Sequence, residues 1–195
     1  MISQYDRKCI FWFKEFSRNQ YKITKRRTMK YLLIICVLFS NLTGISVASP
    51  EKSKVMKLLE GRHWKLEDKS FKSLGDDTDI LLIEIAGDKA LINYLRFRAM
   101  EALSLFPTEK TAVFLEHTAD KSFAALARRG FEALNIGFSK TEPERVKKLA
   151  ERLLLHRNAQ VRITAGRALR SLDTPSFKRF LKVEKNAWVR KEAQK

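Results

Sequence analysis

Three histidines, His63, His117 and His156, are the first residues to test for catalysis, because imidazole titrates near neutrality and readily ligates metals. They lie far apart, and no two share the i, i+3 or i, i+4 spacing that puts paired ligands on one helix face. Glu116-His117 stands alone. Both cysteines, Cys9 and Cys36, precede residue 49, so the rest of the chain has no thiolate nucleophile, disulfide or Cys-ligated zinc. Gly-x-Ser-x-Gly, Gly-x-Gly-x-x-Gly and Walker loops do not occur. Asp76, Asp77 and Asp79 lack EF-hand spacing and its terminal Glu, and read instead as a helix N-terminus, where negative charge suits the dipole. His156, near a helix end, reads as a C-terminal cap. The expectation is therefore a protein without catalytic residues, metal or cofactor.

The 195 residues suffice for one domain and a targeting segment. Apolar residues reach 45%, enough for a packed core, while 7 Gly and 4 Pro are too few for an all-β fold's turns. The net charge of +17 is unevenly spread. Residues 1–48 carry 9 Lys+Arg and 2 Asp+Glu; residues 49–137 carry 14 of each; residues 138–195 carry 16 and 6. Leader and last third are basic for separate reasons.

In the leader, Lys22, Lys25, Arg26, Arg27 and Lys30 precede the apolar run Tyr31–Phe39, and small residues follow at Ser46 and Ala48. This order predicts a secretory signal peptide over residues 1–48, cleaved after Ala48, and a periplasmic or secreted body from 49 to 195. The competing reading is a membrane anchor through residues 31–48, but Ser40, Asn41, Thr43 and Gly44 interrupt the roughly 20 apolar residues a span needs. Cys36 follows Ile34-Ile35 where lipidation would need small residues. Met29-Lys30 offers a second start beside Met1, because Ile10–Phe13 makes residues 1–28 long and aromatic for a basic leader.

Beyond the leader one pattern recurs: a branched apolar residue, then small residues at +4 and +7, then Leu at +8. It is seen at Leu66/Ser70/Ser73/Leu74, Leu95/Ala99/Ala102/Leu103, Leu126/Gly130/Ala133/Leu134 and Val161/Ala165/Ala168/Leu169, with a fifth copy begun at Val189/Ala193. This spacing is one helix face, and its small residues admit a close neighbour. Starts lie 29, 31, 35 and 28 residues apart, room for two short helices per unit. Residues 79–86, 109–115, 143–155 and 175–181 supply the partner helices. Thr141-Glu-Pro-Glu144 reads as a cap, a first-turn proline and an answering Glu; Thr174-Pro175 repeats the first two.

Asn158-Ala-Gln-Val-Arg-Ile-Thr-Ala165 and Asn186-Ala-Trp-Val-Arg-Lys-Glu-Ala193 resemble the Asp/Asn-x-x-Val-Arg-x-x-Ala core of HEAT and phycobilisome-lyase-type HEAT-like repeats. The resemblance covers about residues 76–195, with 51–74 a weaker first unit; Ala127 replaces the Arg in the copy at Leu126. It implies an all-α solenoid of four to five helical hairpins in a right-handed superhelical stack. It also implies that Arg96, Arg162 and Arg190 form a structural ladder, with Asn158 and Asn186 as partners. Glu116-His117 reverses the order found in di-iron HEAT-like hydroxylases.

Binding is expected on the second-helix face opposite the small-residue stripe. The positions at +3 and +6 are Arg98 and Glu101, Arg129 and Glu132, and Thr164 and Arg167, with Arg170 and Lys191–Lys195 extending the row. Arg98, Arg129, Arg167 and Arg170 are the candidate contacts, with Trp188 as contact aromatic or terminal cap. The expected function is an exported, non-enzymatic scaffold for a protein with an acidic surface. The alternative is a nucleic-acid-binding protein of the HEAT-like DNA-glycosylase type, should the chain be cytosolic. Trp64 and Trp188 are too far apart in the repeat order for a base pocket. Oligomeric state is left open.

Overall fold

The structure, a computed structural model, describes residues 51–195, so the leader, its cleavage point and both cysteines lie outside the described residues. The described residues form one compact unit. Among the described residues there are ten helices and no strand. They are α1 (Lys52–Leu59), α2 (Asp68–Lys72), α3 (Thr78–Gly87), α4 (Asn93–Leu103), α5 (Glu109–Lys121), α6 (Ala124–Phe138), α7 (Pro143–Leu153), α8 (Ala159–Leu172), α9 (Thr174–Val183) and α10 (Ala187–Ala193). Each packs mainly on helices one and two places along the chain, and α1 also reaches α4.

The periodic stripe is the buried face. Leu95, Ala99, Ala102 and Leu103 on α4, Leu126, Ala133 and Leu134 on α6, Val161, Ala165, Ala168 and Leu169 on α8, and Val189 and Ala193 on α10 are all buried. The even-numbered helices thereby pack on one another as well as on their odd-numbered partners. Glycines show how close the approach is. A Cβ at Gly166 would lie 2.8 Å from the Phe180 ring and 3.1 Å from Ala193, where α8, α9 and α10 meet; one at Gly137 would lie 2.9 Å from the Ser104 carbonyl oxygen. The first unit departs from the pattern. Leu66 precedes the single short turn of α2, Ser73 is exposed, and Phe71 is the buried anchor. The Ser70 hydroxyl donates to Glu67 and the Ser73 hydroxyl to the Ser70 carbonyl, local bonds that compete with a longer helix, and Gly75 at φ 118° ends it.

Helix starts are set by side chains, though not always the expected ones. Thr108, Asn158 and Asn186 cap α5, α8 and α10 by accepting N–H groups of the first turn. At α9 the cap is Asp173 rather than Thr174, since its carboxylate accepts from the Ser176 N–H. At α7 the N-cap position is Glu142, whose side chain accepts from Arg145 rather than capping the helix; Thr141 instead donates weakly back to the Phe138 carbonyl, closing α6. Pro143 and Pro175 do sit in the first turns.

The helices α3, α5, α7 and α9 run in one direction, their N-terminal ends tied in sequence. Thr108 donates to Asp79 (2.9 Å), Arg145 pairs with Glu109 (2.6 Å) and Glu116 (3.0 Å), and Lys147 pairs with Asp173 (3.0 Å). Their C-terminal ends therefore share the opposite edge, where Arg152 meets Asp120 (3.9 Å) and Arg162 meets Glu184 (2.7 Å). Four hairpin turns lie along that edge: residues 88–92, 122–123, 154–158 and 184–186.

Candidate functional site

The arginines following the branched position are structural, but their acceptors are not Asn158 and Asn186, which are occupied as caps. Each reaches back to a carbonyl in the last turn of the preceding helix (Ala86), at its C-cap (Glu184) or in the hairpin turn itself (His156). Arg96 donates to Ala86 (3.0 Å), Arg162 to His156 (2.9 Å) and Arg190 to Glu184 (2.6 Å). C-terminal carbonyls lack helical partners, so a cation there satisfies both hydrogen bonding and dipole. Ala127 marks the exception with a physical reason. The α5–α6 turn has two residues, whereas the other three turns have three to five and leave a gap to bridge.

The candidate binding row is largely engaged within the chain. Arg98 donates to the Leu59 carbonyl (2.6 Å) and the Gly61 carbonyl (2.9 Å), with its guanidinium over the rings of Tyr94 (4.7 Å) and Trp64 (5.3 Å). Arg167 donates to the Glu192 carbonyl (3.0 Å) and Arg170 to the Gln194 carbonyl, closing the end of α10. Arg129 pairs with Glu132 on its own helix (3.2 Å) and stays half-exposed. Trp188 is 47% exposed at the start of α10. The row is thus not one continuous set of free cations; Arg98, Arg167 and Arg170 hold helix ends.

The histidines remain separate. His63 follows α1, and His117 lines an apolar groove of about 620 Å³ with Ile80, Ile83, Val113 and Phe114 between α3 and α5. The His156 ring does not donate to a helix end; its Nδ1 accepts the Asn158 N–H (3.0 Å) and shapes the turn. Asp79 is buried and joins α3 to α5, while Asp76 and Asp77 are exposed. Among the described residues no three His, Cys, Asp or Glu side chains come together as metal ligands.

A cleft of about 670 Å³ opens where the α7–α8 and α9–α10 turns meet. Leu154, Phe180 and Val183 contribute apolar surface, and Arg157, Arg179 and Lys185 contribute cations. Of its two carboxylates, Glu184 is held by Arg162, while Glu151 keeps its charge beside the Ser176 hydroxyl (2.9 Å), whose single proton is shared with Asp173 (2.8 Å). The Arg162 hydrogen bond keeps the Glu184 carboxyl below the usual carboxylate range against the desolvation of its site, helped by the Asn186 N–H. Among the described residues no carboxylate pairs with Arg157, Arg179 or Lys185; Arg179 donates to the Ser176 hydroxyl (2.7 Å). The cleft therefore presents positive charge beside apolar surface. It suits an acidic segment better than a neutral one.

Reading along helix faces missed these residues, since Arg157 and Lys185 lie in turns and Arg179 on a first helix. The available signal was the charge count, which puts the basic excess after residue 138. Against protein-family models and curated proteins alike, the chain gives no match.

Proposed function

We propose that this chain is an exported, non-catalytic scaffold of HEAT-like type, which holds an acidic segment of a partner protein in its C-terminal cleft. The cleft carries the reading: three cations without carboxylate partners border an apolar floor, while Glu184 is neutralised by Arg162 within the chain. Support for the solenoid arrangement comes from the packing of helices on near neighbours in the chain, and from co-directional first helices. The leader's composition supports export. Among the described residues no helix is long and apolar enough to cross a membrane.

The first experiment is fractionation of the host followed by capture with the tagged chain. The expected species is extracytoplasmic and begins near Ser49, and it retains a partner that an Arg157→Glu/Arg179→Glu/Lys185→Glu variant loses. Equal capture by that variant would remove the cleft from the account. A full-length cytosolic species would favour the second reading, nucleic-acid binding, for which the basic last third is the motivating observation. That reading requires steeply salt-dependent duplex binding.

A further inference from the structure

The exposed apolar side chains are not scattered. Of eight large ones exposed among the described residues, six lie in or beside the hairpin turns of one edge: Ile92, Tyr94, Phe123, Leu155, Val183 and Trp188. Tyr94, 46% exposed, lies against the Arg98 guanidinium, and the other five, 47% to 89% exposed, project from the surface. Scattered single apolar residues are ordinary on a protein surface; a row along one edge is not.

Two of them also break a local rule. Ile92 and Phe123 occupy the N-cap positions of α4 and α6 and supply no capping bond, where a short polar side chain is favoured. The turns before α8 and α10 use Asn158 and Asn186, so the fold accommodates proper caps at this edge. Local preference given up at an exposed position points to a use for the side chain.

Three of the turns carry a cation, Lys89, Arg157 or Lys185, and Lys121 ends α5 immediately before the fourth. Edge carboxylates are engaged: Asp88 by the Ala90 N–H, Asp120 by Lys121 and Arg152, and Glu184 by Arg162. Lys89, Arg157 and Lys185 pair with no acid among the described residues.

We infer that this turn edge docks on an anionic lipid bilayer, with the apolar tips entering the interface and the cations among the headgroups. A protein partner would need a separate recess for each projecting tip, whereas a fluid interface conforms to the whole row. Aromatic tips with aliphatic neighbours and lysine or arginine between them match the chemistry of that interface. Docking is peripheral. It goes beyond the cleft reading, because Ile92 and Phe123 lie outside the cleft.

The test uses residues 49–195, which contain the whole described core and omit the apolar leader. Sedimentation with phosphatidylglycerol/phosphatidylcholine vesicles is compared with phosphatidylcholine alone. Association with the anionic vesicles is expected, weakened about tenfold without the anionic lipid. An Ile92→Ser/Phe123→Ser variant is expected to lose about tenfold in vesicle partitioning with its helical circular dichroism unchanged. Failure of the wild-type chain to sediment, or equal sedimentation of the variant, overturns the inference. Should the edge variant lose a captured protein while no vesicle binds, the edge is a protein contact and the lipid assignment fails. The cleft variant reverses two of the edge cations as well, so the separation rests on Ile92→Ser/Phe123→Ser, which leaves the cleft lining intact: loss of vesicle binding with partner capture retained isolates the lipid reading from the cleft reading.

Discussion

The Arg98 Nη1 group donates to the Leu59 carbonyl oxygen across 2.6 Å, joining α4 to the end of α1 over 39 residues of chain. Its second nitrogen reaches Gly61, and Trp64 and Tyr94 flank the guanidinium. One side chain thus fastens the divergent first unit to the regular ones. Arg98→Ala should cost about 2 kcal/mol, the loss of a charged donor from carbonyls left under-satisfied. Arg98→Lys should recover little of it, since a lysine lacks the planar fork. Chemical denaturation of the three proteins checks this, and a neutral Arg98→Ala would make the clamp ornamental.

Close helix contacts give a second prediction. A Cβ at Gly137 would stand 2.9 Å from a backbone oxygen, whereas at Gly87 the nearest neighbour is 3.8 Å away. Replacing glycine by alanine within a helix ordinarily gains about 1 kcal/mol. Gly137→Ala should instead destabilise by about 1 kcal/mol or more, because the helices must separate. Gly87→Ala should be neutral or mildly stabilising. Thermal melts of both variants decide it, and a stabilised Gly137→Ala would contradict the packing described.

Much of this packing was legible in the residues, because burial follows period. Val161, Ala165, Ala168 and Leu169 announce a helix face, and they are buried. Polar partners were less legible. Arginine is long enough to choose among several carbonyls and carboxylates, so the repeat resemblance implied a structural Arg162 without revealing Glu184 or His156 as its acceptors. The same reach moved Arg98 from surface to clamp. Ser70 and Ser73 fitted the pattern of small residues, yet a hydroxyl that bonds locally does not extend a helix as alanine does. The turn edge escaped notice because periodicity registers what is buried, and its apolar residues are exposed.

Capping supplies a third prediction. Ile92→Ser and Phe123→Ser each place a hydroxyl at an uncapped helix start and remove exposed apolar surface. Each should raise stability by about 1 kcal/mol. Loss of stability on either substitution would mean that the apolar side chain supports the fold, and would undercut the functional reading of the edge.

Acid sensitivity should trace in part to Glu184. Its folded-state carboxyl is held below the ordinary value of 4.5 by the Arg162 hydrogen bond. A group depressed on folding stabilises the native state above its unfolded value, and that contribution is lost as pH falls through the folded one. Stability should therefore be flat above pH 4.5 with respect to this group and fall below it. Glu184→Gln should lower stability at neutral pH and flatten the acid limb. An unchanged limb in that variant would place the acid sensitivity elsewhere.

The most direct measurement for the cleft is a photo-crosslinking residue at Val183, 73% exposed on its rim, compared in the native host with the same residue at exposed Lys148 on α7. One discrete protein adduct is expected from position 183, mapping to an acidic segment of the partner and absent in the Arg157→Glu/Arg179→Glu/Lys185→Glu background. An equal adduct in that background, or one arising only from position 148, would contradict a partner held by the cleft.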